Sequence, residues 1–273
     1  FGAILANIPY SSAIGEDGIL GLLYRVGIST ELFPVLIFVA IGAMIDFSPL
    51  LGNPFMFLFG AAAQFGIFGT MLVAIAFGFK INEAAAIGII GAADGPTSIF
   101  VANLFAQNLL APISVAAYSY MALVPLVQPP IIRALTTPEE RRIRMENREV
   151  QVSKTVKILF PILVTMIAGI IVPASVSLIG MLMFGNLIRE CGVLERLSNS
   201  AQNELANLVT IFLGIVIGST MTADAFLNTT TLLILGMGLL AFIFDTAAGV
   251  IFAKILNIFL KNKVNPMIGA AGI

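Results

Sequence analysis

Residues 80–105 read KINEAAAIGIIGAADGPTSIFVANLF, an apolar run with a carboxylate, glycines and a proline at its centre. Asp94 is the only charge between Glu83 and Arg133. Pro96 has no amide proton and clashes with the preceding turn, while Gly91 and Gly95 free the backbone dihedrals. Together they unwind the middle of a helix. Outward from this stretch, 33 uncharged residues separate Asp46 from Lys80, and 31 separate Lys157 from Arg189. Of the 273 residues, 59% are apolar and 11% charged, with a mean hydropathy of +1.02; soluble domains carry about 25% charged residues. A soluble fold with a very apolar core would alternate apolar and polar faces, and these runs do not. About 20 apolar residues cross a bilayer, and backbone polarity makes such spans helical. The fold class is therefore all-α and polytopic, a single membrane domain over 1–273. Helices are expected near 32–45, 55–79, 84–105 (interrupted), 109–128, 158–188 (holding Pro161 and Pro173), 207–221 and 231–253.

Composition removes several chemistries. There is no His, no Trp and one Cys, Cys191, which excludes an intrachain disulfide framework, a His-based triad and the commoner zinc sites. Fourteen basic against fifteen acidic residues leave no surplus for nucleic acid. Residues 133–157 hold seven of the fourteen basic residues, which marks a cytoplasmic loop, either a solvated topology loop or a docking surface. Residues 189–206 read as an amphipathic helix at an interface or between spans. The chain opens on Phe1, with both ends in apolar runs, and is expected to be an internal fragment.

An internal repeat is expected. IFVAIGAMIDFSPLLGNPFMFLFG (37–60) parallels IFLGIVIGSTMTADAFLNTTTLLILG (211–236), setting Gly42, Asp46, Asn53 and Gly60 opposite Gly218, Asp224, Asn228 and Gly236. Downstream, KINEAAAIGIIGAADGP (80–96) faces KVNPMIGAAGI (263–273). Repeat one covers about 32–105 and repeat two about 207–273. Repeats with interrupted helices in matching places point to a transporter-like architecture with a midplane site. If every span crosses fully, the copies are inverted. That count sends Lys254, Lys261 and Lys263 to the outer face, against the positive-inside tendency.

Asp94, Thr97 and Ser98, with the unwound carbonyls, offer an oxygen-only ligand set for a hard monovalent cation such as Na⁺. An ionisable group at a helix centre costs about 2.5–3.5 kcal/mol, so it reads as functional. Against this stands a plain reading: Asp before Gly-Pro caps the helix that follows, or lies near water at the end of a tilted span. Asn265-Pro266 and Gly269 hold the second copy's place for the break; alone, Asn-Pro is a turn signal. Asp245 is also intramembrane, either paired or lining a pathway, while Asp46 and Asp224 fall at the membrane surface. Tyr118 and Tyr120 are either proton relays or interface anchors.

At GIIGAADGPTSIF, AAYSYMALVPLVQPPIIRALT, GNLIRECGVLERLS and NPMIGAAGI the chain resembles the β subunits of the biotin-dependent, sodium-pumping decarboxylases, whose substrates include oxaloacetate, methylmalonyl-CoA, glutaconyl-CoA and malonate. The resemblance runs from Phe1 to Ile273, and its wording is closest to the acyl-CoA members. It implies decarboxylation of carboxybiotin coupled to Na⁺ export, with a proton moving the other way, in the bacterial cytoplasmic (inner) membrane. Implied partners are a biotin carrier subunit, a carboxyltransferase α subunit, a small membrane-anchored accessory subunit and membrane lipid. The family's aspartate falls on Asp94, its tyrosine on Tyr120, and the first residues of its second motif on Asn265 and Gly269, where they meet carboxybiotin or the ion; the serine, arginine and asparagine that follow lie beyond Ile273. No Met-Lys-Met biotinylation tripeptide occurs, so biotin is expected on another subunit. A Na⁺- or H⁺-coupled carrier for a small anion, and a plain membrane anchor, share the repeats and broken helices.

Overall fold

Apolar runs without a polar face satisfy their backbone internally, and the computed structural model of the chain is helical accordingly. It describes residues 1–15, 17–145, 152–223 and 227–272, among which there is no strand. Ten helices organise it: α1 (Ile19–Ser29), α2 (Leu32–Met44), α3 (Pro54–Ala76), α4 (Ile81–Ala92), α5 (Gly95–Phe105), α6 (Gln107–Leu135), α7 (Lys154–Ile171), α8 (Pro173–Cys191), α9 (Glu195–Ser219) and α10 (Thr229–Phe259). Among the described residues six are long and apolar enough to cross a membrane, or seven if α1 and α2, bent by 61°, form one span. The chain is a multi-pass membrane protein. Asp224, Ile273 and residues 146–151 of the basic loop lie outside the described residues.

The expected helices are present, with four differences. The 158–188 span is two helices, α7 and α8, packed on each other. Val172 is held extended at φ −137° because the ring of Pro173 disfavours a helical residue before it; Pro161, seven residues into α7, stays within the helix. The amphipathic helix expected over 189–206 is divided: 189–191 finish α8, and 195–206 run through a π-helical turn, Ala201–Leu205, into the 207–221 span as α9. Helix α1 was not expected; Glu31, left-handed at φ 63°, separates it from α2. The interruption in 84–105 is present at Ala93–Asp94, and it is sharp enough to reverse the chain. Helices α4 and α5 pack together, and Asn108 Nδ2 donates to Glu83 Oε1 at 2.9 Å. A straight helix would hold those residues about 37 Å apart. The segment is a hairpin with its open ends together.

Two units divide the chain. The first, Phe1–Asn53 with Glu149–Thr222, packs α8 on α2 through small residues: a Cβ on Gly42 would overlap the Leu182 carbonyl, and one on Gly185 the Val39 carbonyl. Such close backbone approach is how membrane helices associate without a hydrophobic driving force. Asn186 Nδ2, buried, donates to the Ile45 carbonyl at 2.9 Å.

The second unit, Pro54–Arg148 with Ala223–Ile273, holds the 81–105 hairpin. Helices α3 and α10 run antiparallel, because Phe59 meets Phe252 edge-on at 5.9 Å and Gly66 meets Asp245. Lys254, near the end of α10, pairs with Glu140 of the basic loop at 3.2 Å and donates to the Leu135 carbonyl at 3.0 Å. The sequence left the orientation of this lysine open; the pairing sets it beside the basic loop, and counting α7 and α8 as two spans rather than one gives the same side.

Candidate functional site

The hairpin tip is built in two residues. Ala93 takes a left-handed φ of 52°, and Asp94 is extended at φ −119°, ψ 100°, so the chain leaves α4 and enters α5 at once. Pro96 sits where a missing N–H costs nothing. The Asp94 carboxylate accepts the Thr97 amide at 3.4 Å and the Thr97 hydroxyl, while Ser98 Oγ donates to the Asp94 carbonyl at 2.8 Å. Asp94 does cap a helix. The capping reading of the sequence is therefore met, and the same carboxylate lies beside α6. Gly95 abuts the ring of Tyr118, and its amide lies 3.3 Å from Met121 Sδ. Tyr118 comes eleven residues after the start of α6, about 16 Å along its axis, well inside a 29-residue span.

Among the described residues there is no group of three or more carboxylates or thiolates. One carboxylate beside neutral hydroxyl oxygens matches a single positive charge rather than a divalent ion.

Of the residues singled out in the sequence, the fold gathers Asp94, Thr97 and Ser98. The tyrosine at the break is Tyr118: its hydroxyl is buried, has no hydrogen-bond partner among the described residues, and lies within electrostatic reach of Asp94. The Tyr120 hydroxyl points elsewhere, donating to the Leu235 carbonyl on α10. Two positions apart on a helix, the pair faces nearly opposite ways. Asn265 Nδ2 donates to the Arg141 and Ile143 carbonyls at 3.0 Å each, and Asn265 Oδ1 accepts the Met267 amide. Gly269 lets the Pro266–Gly272 turn press onto Gly249 of α10, where a Cβ on either would overlap backbone. No hydrogen bond joins Asn265 or Gly269 to Asp94 among the described residues. Asp245, left undecided by the sequence, is fully buried and accepts the Gly66 amide at 2.6 Å; the glycine facing it carries no distinctive sequence signal.

The fold defines a class: an all-helical, multi-pass membrane protein with an acidic residue at the tip of a helical hairpin. Within it, the chain belongs to the family described as Na⁺-transporting oxaloacetate decarboxylase beta subunit, which it matches over residues 1–273. It is 54% identical over 264 residues to the probable oxaloacetate decarboxylase beta chain of Vibrio cholerae, covering 94% of this chain and 61% of that one. It is 54% identical over 298 residues to the methylmalonyl-CoA decarboxylase subunit beta of Propionigenium modestum, covering 100% and 75%. To the oxaloacetate decarboxylase beta chain of Klebsiella pneumoniae it is 53% identical over 262 residues, covering 94% and 60%. The chain thus spans about three fifths of the oxaloacetate relatives' length.

Proposed function

We propose that this chain belongs to the membrane subunit that decarboxylates carboxybiotin, delivered by a separate carrier subunit, and couples the reaction to Na⁺ export across the bacterial inner membrane. The observation that carries this is the carboxylate of Asp94 at the tip of a hairpin packed beside α6, in a chain of this family. Asp94, Thr97 and Ser98 ligate the ion there, with Asn265 added if the second motif closes on the site; Asn265 and Gly269 otherwise serve the carboxybiotin. Loss of CO2 leaves the bonding pair on the ureido nitrogen, which takes a proton. A dry, low-dielectric surrounding favours that step by stripping water from the carboxylate. The proton comes from the outer side as Na⁺ leaves, and the two compete at Asp94, so one site serves both ion and acid chemistry. Linkage then requires that Na⁺ and H⁺ each weaken the other's binding by the same factor.

The repeat supports a transporter-like reading. Helix α3 of repeat one and α10 of repeat two run antiparallel, as inverted copies require, and the 81–105 hairpin and the Pro266–Gly272 turn follow them in turn. A carboxyltransferase α subunit, a biotin carrier and a small anchored accessory subunit complete the complex. We favour an acyl-CoA parent, methylmalonyl-CoA or glutaconyl-CoA: the methylmalonyl-CoA relatives align with the whole chain, at 100%, where the oxaloacetate relatives cover 94%. The test is avidin-sensitive, Na⁺-stimulated decarboxylation by the intact complex across the candidate acids. Asp94→Asn is expected to abolish it while leaving the carrier's biotin loading intact; full activity in that variant overturns the proposal.

A further inference from the structure

Helix α3 is itself interrupted. Gln64 ends the segment Phe57–Ala63, and a new segment, Phe65–Ala76, begins after it. The first amides of a helix have no partner within it, and inside a bilayer no water supplies one. The partner comes from across the unit: Asp245, midway along α10, accepts the Gly66 amide through Oδ1 at 2.6 Å, and the Ile67 amide reaches the same carboxylate. Its other oxygen, Oδ2, is buried and without a hydrogen-bond partner among the described residues. That oxygen lies against Gly91, so close that a Cβ there would overlap it. Gly91 belongs to the Ile89–Ala92 turn that closes α4, three residues before Asp94. One carboxylate therefore touches the restart of α3, the body of α10 and the turn that carries the ion ligand.

We infer that Asp245 is a positioning residue for Asp94: by binding the restart of α3 on one side and backing Gly91 on the other, it fixes how far the hairpin tip reaches. It does so as a hydrogen-bond acceptor of fixed length, not as an ion ligand. Asn keeps an acceptor oxygen at the same reach; Ala removes it; a methyl on Gly91 pushes the turn off the carboxylate. This rests on the reading of Asp94 as the Na⁺ ligand, and two readouts separate the two claims.

The experiment uses the assembled complex with the full-length subunit carrying D245N, D245A or G91A. Decarboxylation is followed against Na⁺ concentration, and exchange of the amides of 89–95 is followed by mass spectrometry. D245A and G91A are expected to raise half-saturating Na⁺ about tenfold, with the rate at saturating Na⁺ within about twofold of wild type, and to speed exchange at 89–95. D245N is expected to restore both towards wild type. Where D245A does not assemble, G91A, which leaves the carboxylate in place, decides. Wild-type half-saturation and wild-type exchange in G91A would overturn the inference. So would a D245N complex that assembles yet loses all activity, since Asp245 would then act through its charge. A wild-type complex with no Na⁺ response would fail the proposed function alone, and the exchange data would still judge the role of Asp245.

Discussion

At the scale of single residues, Asp94, partly buried, and Asp245, fully buried, do one structural job in two ways. Asp94 caps the helix that follows it in sequence, and Asp245 caps a helix that only the fold brings near. The first was legible because the cap, the break and the isolated charge are contiguous. The second was not, because its partners lie 179 residues away and a backbone amide leaves no mark in sequence. Thr97 is expected to contribute one ligand oxygen, so Thr97→Val raises half-saturating Na⁺ about fivefold, close to 1 kcal/mol for one hydrogen-bonding group, read from a Na⁺ titration of decarboxylation. Tyr120→Phe removes the bond to the Leu235 carbonyl and is expected to cost about 0.5–1.5 kcal/mol of stability, the net worth of one hydrogen bond, seen as a lower Tm. An unchanged Tm with lost activity would instead place Tyr120 in the chemistry.

At the scale of elements, the hairpin and the basic loop carry the expectations. The glycines and Pro96 announced a break; whether the chain continued or turned back depended on Ala93 adopting a left-handed backbone, which alanine rarely does. The split of 158–188 was written in Pro173, but Pro161 looked equivalent to it. Pro161 stands inside α7, and Pro125, Pro129 and Pro130 inside α6, which membrane helices tolerate; Pro173 follows an extended residue, and there the helix ends. In the first unit, Gly42→Val would drive a side chain into the Leu182 carbonyl and is expected to destabilise the α2–α8 contact by at least about 2 kcal/mol, measured as a fall in Tm of the purified subunit. The loop helix Pro138–Arg141 offers a pH test. The Thr137 amide, bound at 2.7 Å, and then Lys254 hold the Glu140 carboxyl below its usual range. The folded-state pKa is depressed, so the stabilisation is present above the unfolded value of about 4.3 and is lost as pH falls through the folded value. Protection of the 139–141 amides, taken relative to their intrinsic exchange at each pH, is expected to hold at neutral pH and to fall only in acid below the unfolded value, and Glu140→Gln should remove that acid step.

At the scale of the whole molecule, the sequence's own conflict over the second copy's lysines dissolves once the crossings are recounted. Lys254 belongs with the basic loop, as the positive-inside tendency favours. The overall membrane character was legible from charge spacing alone; the count of crossings was not, since it turned on one proline and one reversal. Thiols placed at Glu139 and Lys261 are expected to react with a membrane-impermeant reagent from one face, and a thiol at Asn108 from the other. Reaction of all three from the same face would overturn the topology.

The central claim, that Asp94 binds sodium in competition with protons, is met most directly by equilibrium binding of radiolabelled sodium to the purified complex across pH. The account predicts saturable binding that weakens as pH falls and is absent in Asp94→Asn; pH-independent binding of the same strength in that variant would contradict it.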